Sequence, residues 1–397
     1  MGIFSKETSY LGVDFDSKSI KVVELSEASG RPKLVTYGYL DFDIEKEIEE
    51  KQKVIQIGAY LKEVCKKSNT KTRMAVVSLP TYEVFSSIIT IPKVEKKDFP
   101  PVINAEAKKV TPMPLEEMAL DWHVISKKFE SGNEKQKQAP QDDKIDQVRD
   151  VLKISKDGHD NQRVLISAVE KKLIETRSAI IKEAGLMLVG IENDTFALMR
   201  SLVGRDLANV MIVDISATVT NIIVISKSIP VVTKTMDFGG LAITKALAEN
   251  LNISLLRAEQ FKYDIGLGSG ETAESKIPLL IQELVKTLVQ EIRYTVDQFS
   301  GKDQTRIEKI ILTGGSSLLV NLPQYLAKQL DKKVYLGDPW ARVECSEELK
   351  PILDEIGPRF ATSIGLVMGM YRGKDAIDIK MNYLKSINKK KIDKEVQ

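Results

Sequence analysis

Leu11-Gly12-Val13-Asp14-Phe15-Asp16-Ser17-Lys18-Ser19-Ile20-Lys21-Val22-Val23 and Met211-Ile212-Val213-Asp214-Ile215-Ser216-Ala217-Thr218-Val219-Thr220-Asn221-Ile222-Ile223 lie two hundred positions apart in the chain. Each is an apolar strand ending in Val-Asp, a short turn rich in hydroxyls, and a second apolar strand that closes on a serine, Ser26 or Ser226. One such strand end is a common turn and says little. Two in the same phase suggest related hairpins, one Asp apiece, facing each other across a cleft for a phosphorylated ligand. A tight turn aims several backbone N–H groups at one point, and its hydroxyls add donors, so it can cradle phosphate oxygens. Asp14 and Asp214 would then hold Mg2+, mostly through water, because this ion dehydrates reluctantly. Lys21 would reach a phosphate as a point charge.

Two further turns have the same character. Met236-Asp237-Phe238-Gly239-Gly240 is a strand-to-helix turn with paired glycines. Ile310-Ile311-Leu312-Thr313 is an apolar strand that ends in Gly314-Gly315-Ser316-Ser317, where the backbone can approach a flat or anionic group closely.

Around these turns, strand and helix patterns alternate, which points to an α/β protein. A charged helix is expected from Ile44 to Lys67, then a strand from Met74 to Pro80. The texture changes between 82 and 182: strand, helix from Lys97 to Val110, strand at 119–125, strand from Val164, and a helix from Lys171 to Ala184 capped by Gly185. This stretch reads as a small α+β module inserted into the first half. Residues 127–162 are charged and Gln-rich without apolar periodicity, and are expected to be a mobile loop. In the second half, 241–300 is helical, with Ser254 as N-cap of one helix. Leu280, Leu284, Leu288, Ile292 and Val296 predict the buried face of another.

Composition excludes several classes. The net charge of +2 and the 6% aromatic content give no footprint for nucleic acid. The two histidines, His123 and His159, leave little room for a His-ligated metal or a His-based triad. The two cysteines, Cys65 and Cys345, form no zinc pattern and fit a reducing compartment. No apolar run approaches the eighteen or so residues needed to span a bilayer. A cytoplasmic protein without a signal peptide is expected.

The order Asp-turn-Lys, Asp-turn-Thr-Asn, Phe-Gly-Gly and Thr-Gly-Gly-Ser resembles that of the actin and sugar-kinase ATPase superfamily. Within it the chain is most similar to the PilM family of type IV pilus assembly proteins, related to the division protein FtsA. The segments that carry the likeness are Val213 to Ile222, Ala258-Glu259-Gln260-Phe261-Lys262 and Val164 to Leu186. It implies an actin-like ATPase fold, with two RNase H-like domains facing a nucleotide cleft and an inserted 1C-type α+β subdomain. Subdomain 1A would be 1–81 and 183–208, 1C 82–182, 2A 209–240 with 306–373, and 2B 241–305, followed by a tail at 374–397. The implied cofactors are ATP and Mg2+. Nucleotide-binding residues would be Asp14, Ser17, Lys18, Ser19 and Lys21 in the first turn, and Asp214, Ser216, Ala217, Thr218, Thr220 and Asn221 in the second. Gly239 and Gly240 would line the phosphates. Glu259 and Lys262 would approach ribose and adenine, and Gly314, Gly315 and Ser316 the adenosine. The implied partner is the N-terminal cytoplasmic peptide of a PilN-like inner-membrane protein, held in a groove between 1A and 1C. The protein would thus sit peripherally at the inner membrane, with other pilus assembly proteins and self-association as further contacts.

The chain departs from the superfamily where Asp16 and Ser216 replace glycines of the two turns. An added carboxylate ~4 Å from a phosphate costs roughly 4 kcal/mol at an effective dielectric of about 20, before Mg2+ compensates. The expectation is a nucleotide switch that hydrolyses slowly or not at all, at most a slow ATPase. Glu192 is the candidate to orient the attacking water, with Asp194 second. Two alternatives share the fold: an FtsA-like filament tethered to a membrane by the C-terminal tail, and a small-molecule or sugar kinase. The tail segment Ile377 to Ile387 alternates polar and apolar residues, and resembles the Ile-Asn-Leu-Leu peptide of PilN itself. It is expected to be an interaction strand or a solvated tail.

Overall fold

A computed structural model describes residues 8–28, 30–42, 49–125, 161–268, 276–300, 306–371 and 383–384. The first half contains β1 (Ser9–Phe15), β2 (Ser19–Ala28), β3 (Arg31–Asp41), β4 (Met74–Leu79), β5 (Val84–Pro92), β6 (Met118–Ile125), β7 (Asn161–Glu170) and β8 (Met187–Asn193). Five of these form a sheet in the order β3-β2-β1-β4-β8, and the other three a separate sheet in the order β5-β7-β6. The second half contains β9 (Val210–Ile215), β10 (Thr220–Ser226), β11 (Ile229–Met236), β12 (Lys309–Thr313) and β13 (Val334–Leu336). Their order, β11-β10-β9-β12-β13, repeats the first sheet position for position. In both, an antiparallel three-strand meander is extended by two parallel strands. The repeated hairpins are the structural repeat.

The central strands are apolar on both faces because helices cover both. On one face of the first sheet, α1 (Glu50–Lys67) buries Ile57, Leu61 and Val64, spaced along one helical stripe. Helix α2 (Phe99–Val110) closes the inserted sheet with Phe99, Ile103 and Ala107 against Ile89, Ile91 and Ile166. Helix α3 (Lys171–Glu183) follows β7 and adds Ile174, Ile180 and Ile181 to the core under α1. A short helix, α4 (Asp194–Leu198), continues into a wider turn at Met199–Val203. The two residues Asn161 and Gln162, expected in the loop, begin β7; the remainder of 127–162 lies outside the described residues.

In the second half, α5 (Gly240–Leu251) and α6 (Leu255–Ile265) precede the long α7 (Lys276–Ser300). Ser254 caps α6, its Oγ accepting from the Arg257 N–H at 3.3 Å. The buried stripe of α7 is Ile281, Val285, Leu288, Ile292 and Val296, so Leu280 and Leu284 lie at its margin. A strict period of four drifts across a helix of 3.6 residues per turn, and the core follows the helix. The chain then passes through α8 (Leu322–Leu330) and α9 (Lys350–Ile356) to α10 (Ala361–Met368), which crosses back onto the first half. Gly12 of β1 makes this possible: a Cβ there would stand 2.0 Å from the Ser363 carbonyl oxygen.

Candidate functional site

Register sets the site. In the first hairpin Asp14 lies opposite Lys21, and in the second Asp214 lies opposite Asn221. Residues paired across antiparallel strands project from the same face, so each Asp receives a partner from its own hairpin. Lys21 Nζ lies 3.2 Å from Asp14 Oδ2 and 3.4 Å from Asp16 Oδ2. Ser78 of β4 donates to Asp14 Oδ1 at 2.9 Å and accepts the Phe15 N–H at 3.3 Å. In the second hairpin Asn221 Nδ2 donates to Asp214 Oδ2 at 3.4 Å, and Thr235 holds Asn221 by donating to its Oδ1 at 2.7 Å. The two aspartates are therefore oriented in parallel ways, one by a cation and one by an amide.

The two turns meet. Ser17 Oγ and Thr218 Oγ1 are 2.8 Å apart. Around them Asp14, Asp16, Ser17 and Lys21 line one wall of a cleft, and Asp214, Ser216, Thr218, Asn221 and Gly314 the other, with Tyr82, Asp194 and Arg359 at its edges. The Ser19 carbonyl accepts the Asp16 N–H at 2.9 Å, and the Lys18 carbonyl accepts the Phe42 N–H at 2.9 Å, so these residues shape the first turn through main chain.

The glycine-rich turns pack against the second hairpin. The N–H groups of Gly240 and Leu241, at the start of α5, donate to the carbonyls of Ser216 and Ala217 at 3.0 and 2.8 Å. Ser316 Oγ donates to the same Ser216 carbonyl at 3.0 Å. Thr220 Oγ1 donates to the Phe238 carbonyl at 2.7 Å and fixes the turn that carries Gly239. Gly314 has φ +84°, and a Cβ there would stand 2.5 Å from the Ile215 carbonyl and 2.6 Å from Asp214 Oδ1. Only glycine fits that position. Gly315 lies beside Arg359, whose guanidinium pairs with Asp41 at 2.9 Å and rests on the Tyr39 ring. Lys262 on α6 donates to Glu259 Oε1 at 2.7 Å, to Thr244 Oγ1 at 3.0 Å and to the Gly240 carbonyl at 3.4 Å, so the Glu259–Lys262 pair abuts the Gly239-Gly240 turn. Burial pushes the Lys262 ammonium below its ordinary range.

Four carboxylates surround one ammonium. Burial lowers the Lys21 pKa, but Asp14, Asp16 and Asp214 outweigh it, and the net shift is upward. Burial raises Asp16, yet Lys21, the Ser17 amide and the Ser216 hydroxyl together hold it below the carboxylate range. Asp214 is raised to about 7, chiefly by burial and then by Asp14 and Asp16. Asp194 is raised well above its usual value by burial, Asp14 and Asp214. Asp194 Oδ1 and Arg359 Nε, both in the cleft wall, are buried without a hydrogen-bond partner. Among the described residues no three carboxylate, histidine or cysteine side chains are grouped as a metal cage. Two aspartates supplemented by phosphate oxygens and water is an arrangement that suits Mg2+.

Glu192 is not part of this cleft. It lies on β8 in the row of Asp14 and Ser78, but the residue is buried and its carboxylate is paired with Arg200, which also donates to the Gly365 carbonyl. Asp194, two residues on at the start of α4, lines the cleft instead. Sequence reasoning missed Ser78, Thr235 and Arg359. The serine in the apolar strand Met74–Leu79 was a signal, because a polar residue in a fully buried strand needs a partner. Thr235 and Arg359 carry no such signal.

The chain matches the family described as Type IV pilus assembly protein PilM over residues 12–153 and 142–371. It belongs to the PilM family. Among solved structures it is similar to the "PilM-PilN type IV pilus biogenesis complex", with 22% identity and a TM-score of 0.72, over 91% of this chain and 98% of that one. It is also similar to the ethanolamine utilization protein EutJ from Carboxydothermus hydrogenoformans, with 14% identity and a TM-score of 0.52, over 91% and 90% of the two chains. The PilM-family fold seen here is the actin-like ATPase fold, as the resemblance implies. Among the described residues no helix is long and apolar enough to cross a membrane.

Proposed function

We propose that the protein is a cytoplasmic ATP-binding scaffold of type IV pilus assembly, whose cleft works as a conformational switch. The observation that carries this is the meeting of the two hairpin turns over an excess of buried carboxylate. A nucleotide with its phosphates between the turns would tie the two sheets together, and Mg2+ held by Asp14 and Asp214 would supply the positive charge needed between the phosphates and this carboxylate cluster. The residues fit that role: Lys21 would face the phosphates, Ser17 and Thr218 would donate to them, and the Glu259–Lys262 pair lies where the nucleoside end would rest. Bound Mg2+ would neutralise the phosphates and fix their orientation. A ligand shifts such an equilibrium by its differential affinity for the open and closed cleft.

Turnover in this reading is slow. Asp194 would take the water-orienting place considered for Glu192, and burial pushes its carboxyl well above the usual carboxylate range, which favours the protonated form and makes it a weak general base. The partner is the N-terminal peptide of a PilN-like inner-membrane protein, in the groove between the first five-stranded sheet and the inserted sheet. Calorimetric titration with Mg-ATP and with a synthetic PilN N-terminal peptide tests the proposal. Failure of both ligands to bind sinks it.

A further inference from the structure

Tyr383 and Leu384 lie at the seam between the first five-stranded sheet and the inserted one. Tyr383 is completely enclosed, one of the largest side chains so buried. Its ring joins a core made by Leu79 and Ile191 of the first sheet and by Val84, Ala119 and Val169 of the inserted sheet, and Leu384 packs against the same core. The seat is polar where the tyrosine is polar. Its hydroxyl is 2.6 Å from Ser167 Oγ on the central strand β7, and Ser167 is in turn 3.0 Å from Ser86 Oγ.

The backbone is engaged as well. The Tyr383 N–H donates to the Ile191 carbonyl at 3.4 Å. Among the described residues, Ile191 belongs to β8, an edge strand of the five-stranded sheet. Tyr383 lies in a turn and Leu384 is helical, so the segment is held by a main-chain bond and by a pocket for one side chain, and pockets of this kind give specificity.

We propose that this seam is a peptide-binding groove with a pocket for an aromatic side chain beside a leucine, and that the chain's own Tyr383-Leu384 is its resident occupant. A partner peptide must displace the tail to bind. This rests on the reading that such a peptide docks between these two sheets, and adds that the site is self-occupied. A tethered segment competes at an effective concentration in the millimolar range, so it weakens the apparent affinity of any free peptide for the same groove.

The test uses the full chain. A labelled peptide spanning residues 377–388 of this sequence is titrated into the wild-type protein and into Tyr383→Ala. The variant is expected to bind it at least tenfold more tightly, and a peptide with the same Tyr→Ala change is expected not to bind. Equal affinities of the two proteins overturn the proposal. A second measurement needs no variant: trypsin cleavage at Lys385 and Lys389 of the wild type should accelerate severalfold when a PilN N-terminal peptide saturates it. If that peptide binds and cleavage is unchanged, the tail is not the occupant, and the pilus-scaffold reading stands. If that peptide binds neither protein while Tyr383→Ala captures the tail peptide, the groove stands and the partner assignment falls.

Discussion

The hydroxyls of Ser17 and Thr218, 2.8 Å apart, join the turns of two hairpins separated by 201 positions in sequence. On the proposed reading both hydroxyls donate to phosphate, so entry of a phosphate between the turns would exchange this bond for two new ones. Replacing both residues with cysteine should allow a disulfide, since the side-chain atoms already approach closely. Oxidised Ser17→Cys/Thr218→Cys protein is expected to lose Mg-ATP binding and to regain it on reduction. Calorimetry in the two redox states checks this; binding by the oxidised form refutes it.

Asp14 and Asp214 are matched in position but differ in partner, and this separates the metal from the nucleotide. Asp14→Asn and Asp214→Asn should each weaken ATP binding in the presence of Mg2+ by about tenfold, or roughly 1.4 kcal/mol. Without Mg2+ the same substitutions should leave ATP affinity unchanged or improved, because they remove charge that repels phosphate. Affinities with and without Mg2+ that fall together would show that neither aspartate acts through the metal.

The raised carboxyl of Asp214 makes the fold sensitive to pH. Folded, it holds its proton up to about 7; unfolded, it loses it near the ordinary aspartate value of 3.8. Between these values the folded chain binds the extra proton, so the stability it provides is present at acid pH and is lost as pH rises through 7. Asp194 acts in the same sense. Without Mg2+, the free energy of unfolding in urea should fall by about 2 kcal/mol from pH 5 to pH 8. Saturating Mg-ATP should flatten this slope. A stability that rises across the interval contradicts the assignment.

Gly314 carries a steric prediction. Its φ of +84° and the neighbouring Asp214 carboxylate leave no place for a side chain. Gly314→Ala should cost on the order of 1–3 kcal/mol from backbone strain alone. It should also displace Asp214, so that ATP affinity falls with Mg2+ present. Urea unfolding and titration read the two effects separately, and an alanine variant with wild-type values in both would refute the argument.

The fold was legible because the two halves carry the same alternation in the same phase. The alignment of Val13-Asp14 with Val213-Asp214 gave the two hairpins, while the pairing of Asp14 with Lys21 and of Asp214 with Asn221 came only with the register of the strands. Contacts made across strands or between halves were not legible. Ser78 reaches Asp14 from the next strand, and Arg359 reaches the cleft from a loop before α10; neither spacing is written in local sequence. The tail was legible only in part. Its pattern allowed an interaction strand or a solvated tail, and the two sheets between which Tyr383 is buried are not written in that pattern.

Glu192 and Asp194 are two residues apart, and the structure gives them different environments. Glu192 is enclosed with Arg200 in an ion pair in which neither group is more than 6% exposed at its side chain. Removing one member of such a pair leaves a buried charge uncompensated, which costs about 3–5 kcal/mol. Glu192→Gln should therefore lower stability by that order while leaving the nucleotide affinity of the remaining folded protein near wild type. Asp194→Asn should do the reverse. It replaces a carboxyl that burial pushes toward its neutral form with a neutral isostere, so stability should change by less than about 1 kcal/mol, while any residual ATP hydrolysis should fall at least tenfold. Unfolding curves and phosphate release measured on both variants decide between them. If Glu192→Gln abolishes hydrolysis at unchanged stability, the water-orienting role belongs to Glu192 and the pairing with Arg200 is not what holds it.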